Sequence, residues 1–188
     1  MTSLKKLISV FMLVATMLFN TSCEEFKACV SPLADLLISA ASLTSPTAVF
    51  TTGAFYPFVA SISNVIQCVS AGGSQTNLNI GYSATPSSNP NAYARVTSAS
   101  TPTGQIDGNC TTTINRQVSF NRAGYYLITV IADNGNNVTE ENENNNDYST
   151  SSATIRSANA EPPLKGILIE VKQGGHIWKE GEPMAEIK

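Results

Sequence analysis

Three groups of side chains in this chain have types and spacings that could do chemistry. The first is a thiol. Cys23 follows Thr21 and Ser22 directly after an uncharged run from Leu7 to Phe19, which is preceded by Lys5 and Lys6. A positive start, an apolar stretch too short to span a bilayer and small residues at its end make an export signal. A cysteine at that point offers a sulfur for acylation. The second group is Asp133, Glu140, Glu143 and Asp147, four carboxylates in one Asn-rich segment. Hard oxygens so close together suit Ca²⁺, although their spacing is not that of an EF-hand. Asn and Asp also cap turns by accepting backbone N–H groups, and both readings stand. The third is His176, the only imidazole in the chain.

Catalysis finds little support in these groups. No G-x-S-x-G or H-E-x-x-H occurs, and His176 lies far from every cysteine in sequence. A Cys–His nucleophile would need a reduced thiol in an oxidising compartment. Glu140 and Glu143 could be cast as a glycosidase pair, but on a hairpin tip they lack the walls that raise an acid's pKa. The expectation is a chain that is not an enzyme, with no catalytic residue, no metal assigned, and no cofactor beyond candidate Ca²⁺.

The composition agrees with display outside the cell. Only 13% of the 188 residues are charged and the formal net charge is −3. The few Lys and Arg form no basic stripe, which argues against nucleic acid as a partner. Ser, Thr, Asn and Gly abound, as suits a β protein with polar turns. Strands are expected at Leu33–Leu43, Phe55–Ile66, Leu78–Tyr82, Tyr93–Ser98, Thr111–Phe120, Tyr125–Ala132 and Tyr148–Arg156. Turns are expected at Ala71–Ser74 and Thr101–Asn109. Tyr125–Ala132 (YYLITVIA) reads as a central strand, with Ile128 and Val130 pointing into the core. Seven short strands with turn chemistry between them predict an all-β, antiparallel sandwich.

Two resemblances sharpen this outline. The N-terminus resembles a lipoprotein signal of the looser Bacteroidetes type, in which Ser-Cys is followed by acidic residues, here Glu24 and Glu25. It implies removal of residues 1–22, a palmitate-bearing anchor on Cys23, and a cell-envelope location, with the outer membrane and surface display expected. The plain alternative is a cleaved signal with Cys23 free or disulfide-bonded. The segment Gly124–Val130, then Asp133, Val138, Glu140, Asn142, Glu143, Asn145 and Asn146, resembles the cell-adhesion-related domain found in bacteria (CARDB). Ala34-Asp35-Leu36 and Asn64 extend the likeness over about 33–157, with Ile66 standing where that family has Gly. The resemblance implies an immunoglobulin-like sandwich, with Tyr126 placed for a tyrosine corner.

In such a sandwich the end of the second strand lies beside the start of the fifth, so Cys68–Cys110 is a natural bridge. Cys29 lies at the same end and competes for it. Residues 23–32 form the tether, 158–163 a linker and 164–188 a C-terminal hairpin appendage turning at Gly174-Gly175. That last segment also resembles half of a biotinyl/lipoyl-type barrel-sandwich, ending before any acceptor lysine. Two functions follow as expectations. One is a non-catalytic envelope lipoprotein presenting a module for adhesion or for binding a polysaccharide or envelope protein. The other is an accessory subunit that docks a partner through its tail.

Overall fold

In the computed structural model, residues 22–23, 33–66, 69–148 and 166–188 are described. The signal segment, most of the tether, the linker, Cys29, Cys68 and the greater part of the expected last strand lie outside them. Among the described residues there are ten strands: β1 (Ser22–Cys23), β2 (Leu36–Leu43), β3 (Phe50–Thr51), β4 (Phe55–Asn64), β5 (Ala71–Ser83), β6 (Ala94–Ile106), β7 (Cys110–Phe120), β8 (Gly124–Ile131), β9 (Ile167–Lys172) and β10 (Ala185–Ile187). The one helical element among the described residues is a 3-10 turn at Pro90–Ala92.

The strands form two sheets. One runs β1-β7-β4-β2 with β10 also on β7, and the other runs β3-β9-β8-β5-β6. Alternation decides which faces meet. In β4 the side chains of Tyr56, Phe58, Ala60 and Ile62 are buried while their neighbours are not. In β8 Tyr126, Ile128 and Val130 enter the same core from the opposite sheet, while Leu127 is buried in a separate cluster with Tyr93. Phe120 and Tyr126 touch between the sheets with ring centroids 4.6 Å apart. β8 is central as expected, flanked by β5 and β9. The pairing of the second and fifth expected strands holds as β4 on β7, from Phe55↔Ser119 to Ser63↔Thr111.

Two expected turns are wholly or partly strand. Ala71–Ser74 opens β5, and Thr101–Ile106 closes β6 and leaves the turn to 107–109, with the register shifting on either side of Ser74. Gly73 at φ +78° and Gly104 at φ +69° take the left-handed conformations that such bulges need. Pro102 is tolerated because β6 is an edge strand whose other side carries no ladder.

The C-terminal segment differs most from expectation. It is neither an appendage nor a hairpin. β9 lies inside one sheet, antiparallel to β8 (Gly124↔Val171) and parallel to β3 (Phe50↔Val171), while β10 lies in the other sheet against β7. Val171 and Ala185 are buried in the core. An amphipathic strand with no partner in its own neighbourhood must bury its apolar face elsewhere, and β8 and β7 supply the edges. The half-barrel likeness therefore has no structural counterpart.

Tyr126 is the expected tyrosine corner. Its ring is fully buried and its hydroxyl donates to Arg122 O at 2.6 Å and lies 3.1 Å from Met184 O. Burial, the largest effect, pushes the phenol pKa up, so the group stays a neutral donor. Tyr126→Phe is expected to destabilise the fold by about 1–3 kcal/mol, because the buried carbonyls lose their donor. Urea unfolding measures this, and an unchanged midpoint would contradict the assignment.

Candidate functional site

Strand directions give the sandwich two ends. At one end lie the starts of β2, β7 and the chain after β8. At the other lie the loops 44–54, 84–93, 121–123 and 173–184.

The acidic segment 132–148 occupies the first end. Asp133, at φ +40° and almost fully buried, accepts Val138 N–H at 2.9 Å on Oδ2 and Asn137 N–H at 3.2 Å on Oδ1. Its carboxylate closes the turn that leaves β8. Glu143 does a similar job one turn later, accepting Glu140 N–H at 2.9 Å. Glu140 itself is 5% exposed and reaches across the sandwich end. One oxygen accepts Leu36 N–H and the other accepts Asn146 Nδ2 at 3.1 Å. Beside it Glu141 N–H donates to Ala34 O at 2.8 Å, and Asn145 Nδ2 donates to Asp35 Oδ1 at 2.8 Å. The loop thus binds the start of β2 through three hydrogen bonds, two of them made by its side chains.

Asp133, Glu143, Asn146 and Asp147 line a cavity of about 290 Å³, together with Asn134, Asn136 and Asn144. Glu140 does not line it. Among the described residues no three of His, Cys, Asp and Glu converge closely enough to hold a metal ion. The hydrogen bonds are those of turn capping. Asn146, one of the residues of the resemblance motif, is 7% exposed, and its Oδ1 accepts no hydrogen bond. Only the fold reveals this burial, in which the Asn146 amide donates to Glu140 and its backbone carbonyl accepts Ala132 N–H.

Asn64 ends β4 at the same place and is 1% exposed. Its Nδ2 donates to Val69 O at 2.6 Å and Ile106 O at 3.2 Å, and its Oδ1 accepts Asp35 N–H and Ile66 N–H, each at 3.3 Å. An amide with both a donor and an acceptor end replaces the tight turn that Gly would make. Cys110 lies here too, buried, with its Sγ 3.6 Å from Gly108 O. In backbone register Cys23 stands opposite Cys110.

His176 lies at the other end, away from every acidic residue of the 132–148 loop. Its Nε2 is 3.0 Å from Glu182 Oε2, which also accepts Lys179 N–H at 3.2 Å. The Lys179 N–H bond, with His176 next, holds the Glu182 carboxyl below its usual pKa. Trp178 Nε1 donates to Glu182 O at 2.9 Å. The Arg122 guanidinium lies 4.4 Å from the Trp178 ring centroid and 5.0 Å from that of Tyr82. No local sequence signal joins Tyr82, Arg122 and Trp178, which come from three separate loops or strand ends.

Glu140 gives this geometry a measurable signature. Burial, opposed by its two hydrogen bonds and helped by Glu143 and Asp133, pushes its pKa up to about 7. A raised pKa means the folded state holds the proton more tightly than the unfolded chain. Stability from this group is therefore complete below the ordinary carboxylate range and is lost as pH rises through about 7. Glu140→Gln should flatten stability between pH 4.5 and 7, whereas Glu140→Ala should cost about 2–4 kcal/mol by stranding Leu36 N–H. Urea titrations across that pH range test this, and an unaltered slope in Glu140→Gln would sink it.

Comparison with known proteins agrees with the fold. Residues 74–150 match the CARDB family model. No curated protein matches the chain. The crystal structure of a CARDB domain from Pyrococcus furiosus, in complex with di-metal ions, superposes with a TM-score of 0.50 at 14% identity, covering 77% of this chain and 99% of that one. A solution NMR structure of a CARDB domain from the same organism gives a TM-score of 0.48 at 15% identity, covering 74% and 96%. The described sandwich thus has a CARDB-like fold, and residues 74–150 are similar to the CARDB family.

Proposed function

We propose that this chain is a non-catalytic lipoprotein of the cell envelope, held by lipid on Cys23, that presents its CARDB-like sandwich as a binding module. One observation carries the reading. β1 and the start of β2 lie at the end that holds Cys110 and the acidic loop, so a tether from Cys23 leaves the loops 44–54, 84–93, 121–123 and 173–184 turned away from the anchor. This arrangement favours a display module over the tail-docking subunit, because the C-terminal strands are committed to the sandwich itself.

The cysteines fit the same scheme. Ile66 O accepts Asn109 N–H at 3.2 Å, and Val69 O is held by Asn64, so both flanks of Cys68 lie beside the start of β7. This supports Cys68–Cys110 as the disulfide and leaves the Cys23 sulfur for a thioether to diacylglycerol. A lipid with two or more chains exceeds what stable anchoring requires. Labelling cells with a palmitate analogue should mark the chain and fail to mark Cys23→Ser, while non-reducing peptide mapping should recover Cys68 linked to Cys110. A Cys23–Cys110 peptide in the mature protein would overturn both assignments.

A second reading concerns a cation at the acidic end. The unpaired Oδ1 of buried Asn146, beside a cavity bordered by Asp133, Glu143 and Asp147, favours it. The P. furiosus domain with its di-metal ions supplies an analogue at the level of fold. A bound Ca²⁺ would have to share Asp133 and Glu143 with the backbone N–H groups they cap. Millimolar CaCl₂ should then raise the melting temperature by several degrees, as ligand linkage requires, with EDTA reversing the gain. Equal melting temperatures in CaCl₂ and EDTA would remove the cation.

A further inference from the structure

Charge is segregated along the sandwich. The end that holds the start of β2 carries Asp35, Asp107, Asp133, Glu140, Glu141, Glu143 and Asp147 and, among the described residues, no Lys or Arg. Every described Lys and Arg lies in the other half: Arg95, Arg116, Arg122, Lys172, Lys179 and Lys188. Four carboxylates share that half, Glu170, Glu180, Glu182 and Glu186. Two of them are engaged, Glu182 with His176 at 3.0 Å and Glu186 with Lys188 at 3.8 Å. Arg95, Arg122, Lys172 and Lys179 make no ion pair among the described residues.

Arg122 is the best organised of these cations. Two aromatic rings, Tyr82 and Trp178, lie against it, and its Nη1 reaches Met184 Sδ at 4.0 Å. Such contacts fix the guanidinium before any ligand arrives, so little ordering entropy remains to be lost on binding. Ile177, 75% exposed, stands beside Trp178 at the tip of the same loop. Lys172 ends β9 just before this loop, and Lys179 lies within it, next to Trp178 in sequence.

We propose that this end binds an acidic polysaccharide of the uronate type, with Arg122 taking a sugar carboxylate, Lys172 and Lys179 supplying further positive charge, and the Trp178 loop offering apolar surface to the sugar rings. The carboxylate is the ligand group that a guanidinium fork fits best. The charge density is wrong for nucleic acid. A duplex carries about one charge per 1.7 Å, whereas these cations come from separate elements with Glu170 and Glu180 among them. The inference rests on the display reading above, since a tether at the acidic end is what turns this end outward.

Affinity electrophoresis of the mature full chain in gels containing polygalacturonate tests it, with neutral dextran and duplex DNA as comparison polymers. Polygalacturonate should retard the chain, and retardation should fade as salt rises. The Lys172→Ala/Lys179→Ala pair should weaken binding about tenfold, as loss of two exposed ionic contacts allows, and Lys172→Arg/Lys179→Arg should restore it. Arg122→Gln should weaken it at least as much. Melting temperatures of all variants separate binding from folding, and the lysine pair, on exposed side chains, keeps the test valid should Arg122→Gln unfold. Absence of retardation with polygalacturonate, equal retardation by dextran or DNA, or undiminished binding in the lysine pair overturns the proposal. Failure of anchoring would appear in the palmitate experiment and leave this assay on purified chain unaffected.

Discussion

The hydroxyl of Tyr126 is the contact on which the two sheets and the C-terminal strands jointly depend. Its ring stands in the core between Phe120 of one sheet and Tyr82 of its own, at 4.6 and 5.2 Å. Its oxygen meets Arg122 O and Met184 O, one carbonyl just before β8 and one just before β10. A core aromatic with a polar tip cannot be buried unless that tip is satisfied. Satisfying it here requires both the β7–β8 corner and the last strand to be in place. The corner so fixed also sets Arg122, which packs on Tyr82 and Trp178 at the surface above it.

At the opposite end, polar side chains replace the apolar contacts. Asn64 ties β2, the loop after β4 and the end of β6 through four backbone groups. Glu140 ties the acidic loop to the start of β2. Both are buried, so each is stabilising only while fully bonded, and removal of one partner strands several others. The two ends therefore differ in kind. One is closed by aromatic packing and a phenol, and the other by a connected polar network with surplus negative charge.

How much of this was legible in the sequence depended on how local the cause was. The inward residues of β4 and β8 could be read from the pattern along their own length, whereas the pairing of β4 with β7 and the corner role of Tyr126 followed from the sandwich that the resemblance implies. The bulged start of β5 and end of β6 could not, because Gly72-Gly73 and Pro102-Thr103-Gly104 carry turn chemistry and become strand only by pairing with each other. β9 and β10 were misread as a hairpin because each alternates correctly but finds its partner far away, Val171 at Gly124 and Ala185 at Phe120. The acidic segment was legible as a cluster but not as a brace. The bond from Glu140 spans 104 residues to Leu36, and no spacing rule reaches that far.

The same non-locality bears on where a ligand can be met. Chain direction forces the β2 start, the β7 start and the β8 exit to one end, and Asp133, Glu140 and Glu143 there close the loop that leaves β8 and tie it to the β2 start. A chain with few charged side chains that gathers its acids for bracing leaves its bases for the remaining surface. Positive charge at the far end is thus partly a consequence of how the near end is closed. The stack of Arg122 with Tyr82 and Trp178 does not follow from that bookkeeping, since bracing the acidic end requires neither ring. It is this local organisation, more than the segregation of charge, that distinguishes a recognition surface from a residue of folding.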